Sequence, residues 1–347
     1  MSGAPEYRPG VLLGCQVPLS EAYQVALLDL DGVCYAGKLP IDFAAEGINA
    51  ARAAGMASMF VTNNASRLPA DVAAHLTELG IQTTAQQVMT AAQDVAEVMR
   101  AELEAGATVF VLGTQALVQA VEDAGFTVVS SADDAPTAVV QGLDRNITWA
   151  AMSEAVLCIS RGARFYASNL DSTLPTERGM AIGNGSLVAC VEHAAGVKAT
   201  PAGKPLAGIF HRALARAGGG SALGVGDRLN TDVACAVAAQ VPSLHVLTGV
   251  SDARAVALAA PAERPSFLAK DLRGLSEPHP EVAVDGASAT CRQSTARFDA
   301  DGTLYVGEVP LAEGAVVGID HYRAVVAAAW AAADQGVMVS VPAFTVA

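Results

Sequence analysis

Two aspartates two positions apart, Asp29 and Asp31, stand where a short apolar run, Val25-Ala26-Leu27-Leu28, gives way to Asp-Gly. A carboxylate in that place can attack an electrophile, move a proton or bind a hard cation. The pair alone is also an ordinary turn, because Asp-Gly commonly follows a strand. A second apolar run, Met59-Phe60-Val61, leads into Thr62-Asn63-Asn64-Ala65-Ser66. This segment offers a hydroxyl, amides and successive backbone N–H groups, the donor set that phosphoryl oxygens need. Ser66 reads equally well as the N-cap of a following helix. Farther on, Gly203-Lys204-Pro205 presents one cation between residues that restrict the backbone, a position where a lysine is ordinarily solvated surface. Asp227 and Asp232, in Gly226-Asp227-Arg228-Leu229-Asn230-Thr231-Asp232, lie across a strand-to-helix turn. That spacing can give one carboxylate to a metal and the other to a neighbour, or simply cap a helix.

These residues need strands to position them. The runs at 25–28, 59–61, 222–226 and 244–247 are short and apolar, and each ends in polar residues, as buried parallel strands do when they feed functional loops. With a helix over Ala44 to Ala54 between the first two, they predict an α/β fold built on a doubly wound parallel sheet. Residues 84–195 carry strand candidates of their own, at 108–112, 127–129, 138–141 and 163–167, enough for an inserted α/β cap domain. The core therefore reads as 1–83 plus 196–276. Glu277-Pro278-His279-Pro280 reads as a linker to a small α+β region over 281–347. In that region a hairpin pattern, 296–298 and 303–306 around Asp299-Ala300-Asp301-Gly302, precedes an Ala-rich helix from Ile319 to Ala332.

The chain has 347 residues, 52% of them hydrophobic and 16% charged, and its net charge is −14. No apolar run reaches the ~18 residues of a membrane span. The acidic balance repels nucleic acid and anionic lipid, so neither is an expected partner. Six scattered cysteines form no CxxC pair, which points away from zinc and from a disulfide framework. The opening Met1 to Gly10 stretch has no leader pattern, and a cytoplasmic location is the expectation.

Taken in order, strand-DxDG, strand-TNN, GKP and strand-GDxxxxD resemble the haloacid dehalogenase superfamily over residues 21 to 275. The VTNNASR wording, the insertion after it and the stretch Asn169-Leu170-Asp171, Pro175-Thr176-Glu177-Arg178-Gly179, Gly183-Asn184-Gly185 are similar to the p-nitrophenyl phosphatase-like branch with a type IIA cap. The tail adds a resemblance to actinobacterial glycerol 3-phosphate phosphatases with an acetyltransferase-like C-terminal region. By that resemblance Asp29 is the nucleophile and Asp31 the general acid. Gly32, Thr62, the Asn63 backbone and Lys204 would hold phosphoryl oxygens. Asp29, the Asp31 carbonyl and Asp227 would bind Mg2+, with Asp232 behind them or paired with Lys204. A cation suits the chemistry, because a carboxylate cannot approach a phosphate dianion unless charge is neutralised, and an all-oxygen site favours a hard ion. Asn64 and, in the cap, Asn169, Asp171 and Arg178 are offered as substrate contacts, and a homodimer formed through the cap is left open.

Phe298-Asp299-Ala300-Asp301-Gly302-Thr303 matches the first motif by letter, but none of the other motifs follows it, so it reads as a turn. The tail also lacks an Arg/Gln-x-x-Gly-x-Gly loop for coenzyme A. It is expected to be separable, with the phosphatase chemistry surviving its removal. Readings as a receiver-type phosphoacceptor or a silent binding protein fit less well, because Asp227 comes last and no motif position is missing. The substrate is read as a small phosphomonoester, hydrolysed with Mg2+. Glycerol 3-phosphate is preferred over 2-phosphoglycolate, sugar phosphates or nucleoside monophosphates, because no aromatic residue between Asn169 and Gly185 could stack a base.

Overall fold

The computed structural model describes residues 3–176, 178–299 and 301–347. Met1, Ser2, Glu177 and Ala300, which enter the sequence reading, lie outside the described residues, as does the Pro175 side chain. The chain divides into two compact units. The first comprises residues 1–60, 76–82 and 213–347; the second comprises 61–75 and 83–212. Residues 61–75 and 196–212, read from sequence as core, thus cluster with the insertion.

In the first unit parallel strands run side by side in the order Phe267–Ala269, Ser243–Val246, Ala222–Gly226, Val25–Leu28 and Ala57–Thr62. Every residue of Val25–Leu28, Ala222–Gly226 and Ser243–Val246 is buried, as a sheet covered on both faces requires. The register sets Leu28 opposite Val225 on one side and Phe60 on the other, so these strands run out at a common edge just before Asp29 and Asp227. Helix Ala44–Ala53 buries Ala44, Gly47, Ile48 and Ala51 on one stripe.

The second unit has its own parallel sheet, in the order Thr200–Pro201, Arg164–Ala167, Ala138–Gln141, Thr108–Leu112 and Thr127–Val129. A two-stranded antiparallel hairpin, Thr173–Thr176 with Gly179–Ile182, stands apart from it. Among the described residues no helix is long and apolar enough to cross a membrane.

The C-terminal region contains a five-stranded antiparallel meander over Val282–Pro310 and a helix, Ile319–Asp334, packed on it. The hairpin is present, with Phe298 opposite Leu304 and Ala296 opposite Val306. The segment read as a linker is buried and paired at His279. His279 is 2% exposed and its backbone pairs with Cys15 through two 2.8 Å hydrogen bonds. The tail's Tyr322, Val325, Ala329 and Trp330 share one buried cluster with Leu229, with Val256 and Ala257 of helix Ala253–Ala257 and with Leu268 of strand Phe267–Ala269. An apolar surface of that kind cannot be bared without losing stability.

Candidate active site

Asp29 follows strand Val25–Leu28 and its N–H donates to Val225 O at 2.9 Å, continuing the sheet for one more residue. Asp227 follows strand Ala222–Gly226 and is fully buried. Asp232 lies one turn on, where its Oδ2 accepts the Arg228 N–H at 3.1 Å. The turn Leu229–Val233 is wide (π-type) and continues into helix Ala234–Ala238. It brings Asp232 back toward the strand end. One carboxylate oxygen from each of Asp29, Asp227 and Asp232 lies within 4.8 Å of the others. Such an all-oxygen trio, with two of its members buried, fits a hard divalent cation and would be strongly repulsive without positive charge. The sequence reading took the Asp31 backbone carbonyl as the third ligand beside Asp29 and Asp227, with Asp232 behind them. Asp31 is exposed and sits in the turn in which the Gly32 N–H donates to Tyr35 O at 2.9 Å.

Backbone packs directly on the Asp227 carboxylate. Gly32 has φ +90°, and a Cβ there would strike Asp227; a Cβ on Gly249 would strike it from another direction. Val250 N–H donates to Asp227 Oδ2 at 2.6 Å, Ser251 N–H donates to Asp227 O at 3.1 Å, and the Thr248 hydroxyl donates to Gly32 O at 2.6 Å. This clamp was missed from sequence, although the Thr-Gly pair at the end of the 244–247 run was a readable strand-end signal. Buried His245 approaches Asp227 O at 3.0 Å through Nε2, and burial pulls its pKa down to about 4. It is therefore neutral at pH 7, with Nε2–H as donor.

In the second unit, Asn63 and Lys204 are joined. Asn63 Oδ1 accepts the Lys204 N–H at 2.7 Å, and Asn63 Nδ2 donates to Lys204 O at 2.9 Å. Lys204 is 3% exposed, against the solvated position that a lone lysine suggests, and its Nζ donates to Val61 O at 3.0 Å. Thr62 Oγ1 accepts the Asn64 N–H at 3.1 Å, which leaves its proton available to a phosphoryl oxygen. Asn169 and Asp171, offered as substrate contacts, are both bonded to Asn63. Asn169 Nδ2 donates to Asn63 O at 2.8 Å, and Asp171 accepts from Asn63 Nδ2 at 3.1 and 3.2 Å. Arg178 and Asn64 are exposed, with Asn64 Oδ1 accepting the Ser66 N–H at 2.7 Å. Ser66 lies three residues before helix Pro69–Glu78, and its hydroxyl donates to Leu143 O at 2.7 Å. Asp94, also missed, is fully buried between the Arg212 guanidinium at 2.6 Å and the Gly203 N–H at 2.8 Å. It fixes the residue that precedes Lys204. Its one sequence signal is an acid on the buried face of a helix.

Asp299, read from sequence as a turn residue, is bonded within its own turn. Its Oδ1 accepts N–H groups of Asp301 and Thr303 at 3.0 and 2.8 Å, a self-contained turn.

Residues 26–127 match the family model of haloacid dehalogenase-like hydrolases, and residues 201–275 match a HAD-hydrolase-like model. The chain is 39% identical over 325 residues to the D-glycerol 3-phosphate phosphatase of Mycobacterium tuberculosis, covering 90% of this chain and 88% of that protein. It is 36% identical to the 5'-nucleotidase YutF of Bacillus subtilis over 67% of this chain and 90% of that one. Among solved structures, the M. tuberculosis glycerol phosphate phosphatase Rv1692 in complex with magnesium superimposes with TM-score 0.79 at 36% identity, covering 95% of each chain.

Proposed function

The chain belongs to the haloacid dehalogenase-like hydrolase family and is a phosphomonoester hydrolase, and we propose that it is a Mg2+-dependent glycerol 3-phosphate phosphatase acting through an aspartyl-phosphate on Asp29. The observation that carries the proposal is the carboxylate trio of Asp29, Asp227 and Asp232 within 4.8 Å. Bound there, Mg2+ would neutralise the phosphate dianion so that a carboxylate can approach phosphorus. Asp29, Asp227 and the Asp31 carbonyl are its proposed ligands, with Asp232 behind them.

In the first half-reaction an Asp29 carboxylate oxygen attacks phosphorus and the ester P–O bond breaks. Asp31, entering as the carboxylic acid, gives its proton to the leaving alkoxide, which departs as glycerol. In the second, Asp31 as carboxylate takes a proton from water, whose oxygen attacks the aspartyl-phosphate. Phosphate leaves and the Asp29 carboxylate is restored. Gly32, Thr62, the Asn63 N–H and Lys204 hold the phosphoryl oxygens, the electrostatic work on which phosphoryl transfer chiefly depends.

Support for glycerol 3-phosphate comes from the M. tuberculosis relatives, whose similarity extends through the tail. The absence of aromatics between Asn169 and Gly185 points the same way. A stacked base contributes ~1 to 3 kcal/mol that this stretch cannot supply. The proposal keeps residues 84–195 as the cap and places the enzyme in the cytoplasm, where six free cysteines remain reduced. Steady-state kinetics with Mg2+, comparing glycerol 3-phosphate with UMP and a sugar phosphate, test it. A higher kcat/KM for glycerol 3-phosphate supports the assignment, and a higher value for UMP moves it toward the nucleotidase relative.

A further inference from the structure

The loop from Thr248 to Asp252 and the helix Ala253–Ala257 contain none of the proposed reacting groups, yet they fix Asp227. Val250 and Ser251 donate to its carboxylate and carbonyl at 2.6 and 3.1 Å, and Ser251 Oγ accepts the Leu229 N–H at 3.2 Å. Asp252 closes the loop onto the helix by accepting the Ala255 N–H at 2.7 Å. What fixes the helix comes from the C-terminal region. Arg254 Nε donates to Val341 O at 2.6 Å, and Trp330 Nε1 donates to Val256 O at 2.9 Å. Trp330 is itself held, with the Arg264 guanidinium 5.3 Å from its ring and that guanidinium paired with both oxygens of Asp334 at 2.7 and 2.8 Å. The buried cluster that contains Trp330 also contains Leu229 and Val233, which flank the turn carrying Asp232.

We infer that the C-terminal region is a positioning element for the cation site, holding Asp227 through helix Ala253–Ala257, with Trp330 and Arg254 as the coupling residues. The physical case is that a bound cation needs its oxygens fixed, and partners behind the ligands set affinity. Losing such partners commonly costs about tenfold or more in metal affinity. A hydrogen bond lost one layer farther out acts by letting the helix, and with it the Val250 and Ser251 amides, relax. This inference rests on reading Asp227 as a cation ligand.

The test uses the full chain and two conservative variants, Trp330→Phe and Arg254→Met, which remove one hydrogen bond each while retaining most of the packing. Mg2+ binding is measured by calorimetry without substrate, at a temperature where circular dichroism shows the variants folded. Half-saturating Mg2+ and the substrate KM are then measured in turnover. The expected result is Mg2+ binding weakened roughly threefold or more in each variant, smaller than the effect of losing a direct second-layer partner, with the KM at saturating Mg2+ unchanged. Wild-type Mg2+ affinity in both folded variants overturns the inference, whether or not their melting temperature falls. Failure of the underlying reading would look different: the wild type itself would bind no Mg2+ and hydrolyse without it.

Discussion

The side-chain amide of Asn63 closes a two-way bridge on the backbone of Lys204, accepting its N–H at 2.7 Å and donating to its carbonyl at 2.9 Å across 141 residues of sequence. Substitution Asn63→Ala leaves the Asp171 carboxylate and the Lys204 peptide without that partner and frees the lysine segment to shift. Misplacement of a charge-stabilising group by about 1 Å costs on the order of a hundredfold. A fall in kcat/KM of roughly tenfold to a hundredfold is expected. Wild-type kcat/KM in the purified variant would contradict the role given to Lys204.

Gly32 is expected to tolerate no side chain. Its φ of +90° and its closeness to Asp227 mean that Gly32→Ala must displace either the turn or the carboxylate. Half-saturating Mg2+ should rise by about tenfold or more, and EDTA should abolish activity in wild type and variant alike. An unchanged Mg2+ requirement would separate Asp227 from the cation.

Ending the chain after Pro280 is expected to give an aggregating or unfolded product rather than a free phosphatase. Val256 and Leu268, fully buried against the tail cluster, would each forfeit about 1.5 to 3 kcal/mol of burial, a large share of a typical ~5 to 15 kcal/mol stability. A truncated protein with the wild-type melting temperature would show that the shared cluster contributes little.

Stability should decline on mild acidification. Burial, reinforced by the Arg323 charge, pulls His279 from 6.5 to about 4, while its bond to Gly274 O opposes the shift. The unfolded chain therefore binds a proton that the folded chain refuses between these values. Stability is complete above about pH 6.5 and is lost as pH falls toward 4, by roughly 2 kcal/mol at pH 5 from this group. In His279→Gln, which can still donate to Gly274 O, urea unfolding at pH 5 and pH 7 should differ by less than in wild type. An equal difference in both would remove His279 as the cause.

Much of the core was legible because fully buried parallel strands write themselves as unbroken apolar runs: Val25–Leu28 and Ala222–Gly226 were bounded to the residue. The motifs at Asp29, Thr62, Lys204 and Asp227 were legible for the same reason, since each terminates such a run or a Gly-Pro turn. Illegible features depend on long-range partners. Nothing local marks Asp94 as the anchor of Gly203, or Asn169 and Asp171 as partners of Asn63. The tail misled because Pro278 and Pro280 are punctuation in sequence, while the burial of His279 between them is decided by a strand pairing with Cys15.

The central claim, covalent catalysis by Asp29, is tested most directly by kcat for Asp29→Asn with saturating Mg2+ and glycerol 3-phosphate. An amide keeps the shape and cannot attack phosphorus, so kcat should fall by at least about a thousandfold with the melting temperature preserved, while Asp299→Asn should retain full activity. Wild-type kcat in Asp29→Asn, or an equal loss in Asp299→Asn, would contradict it.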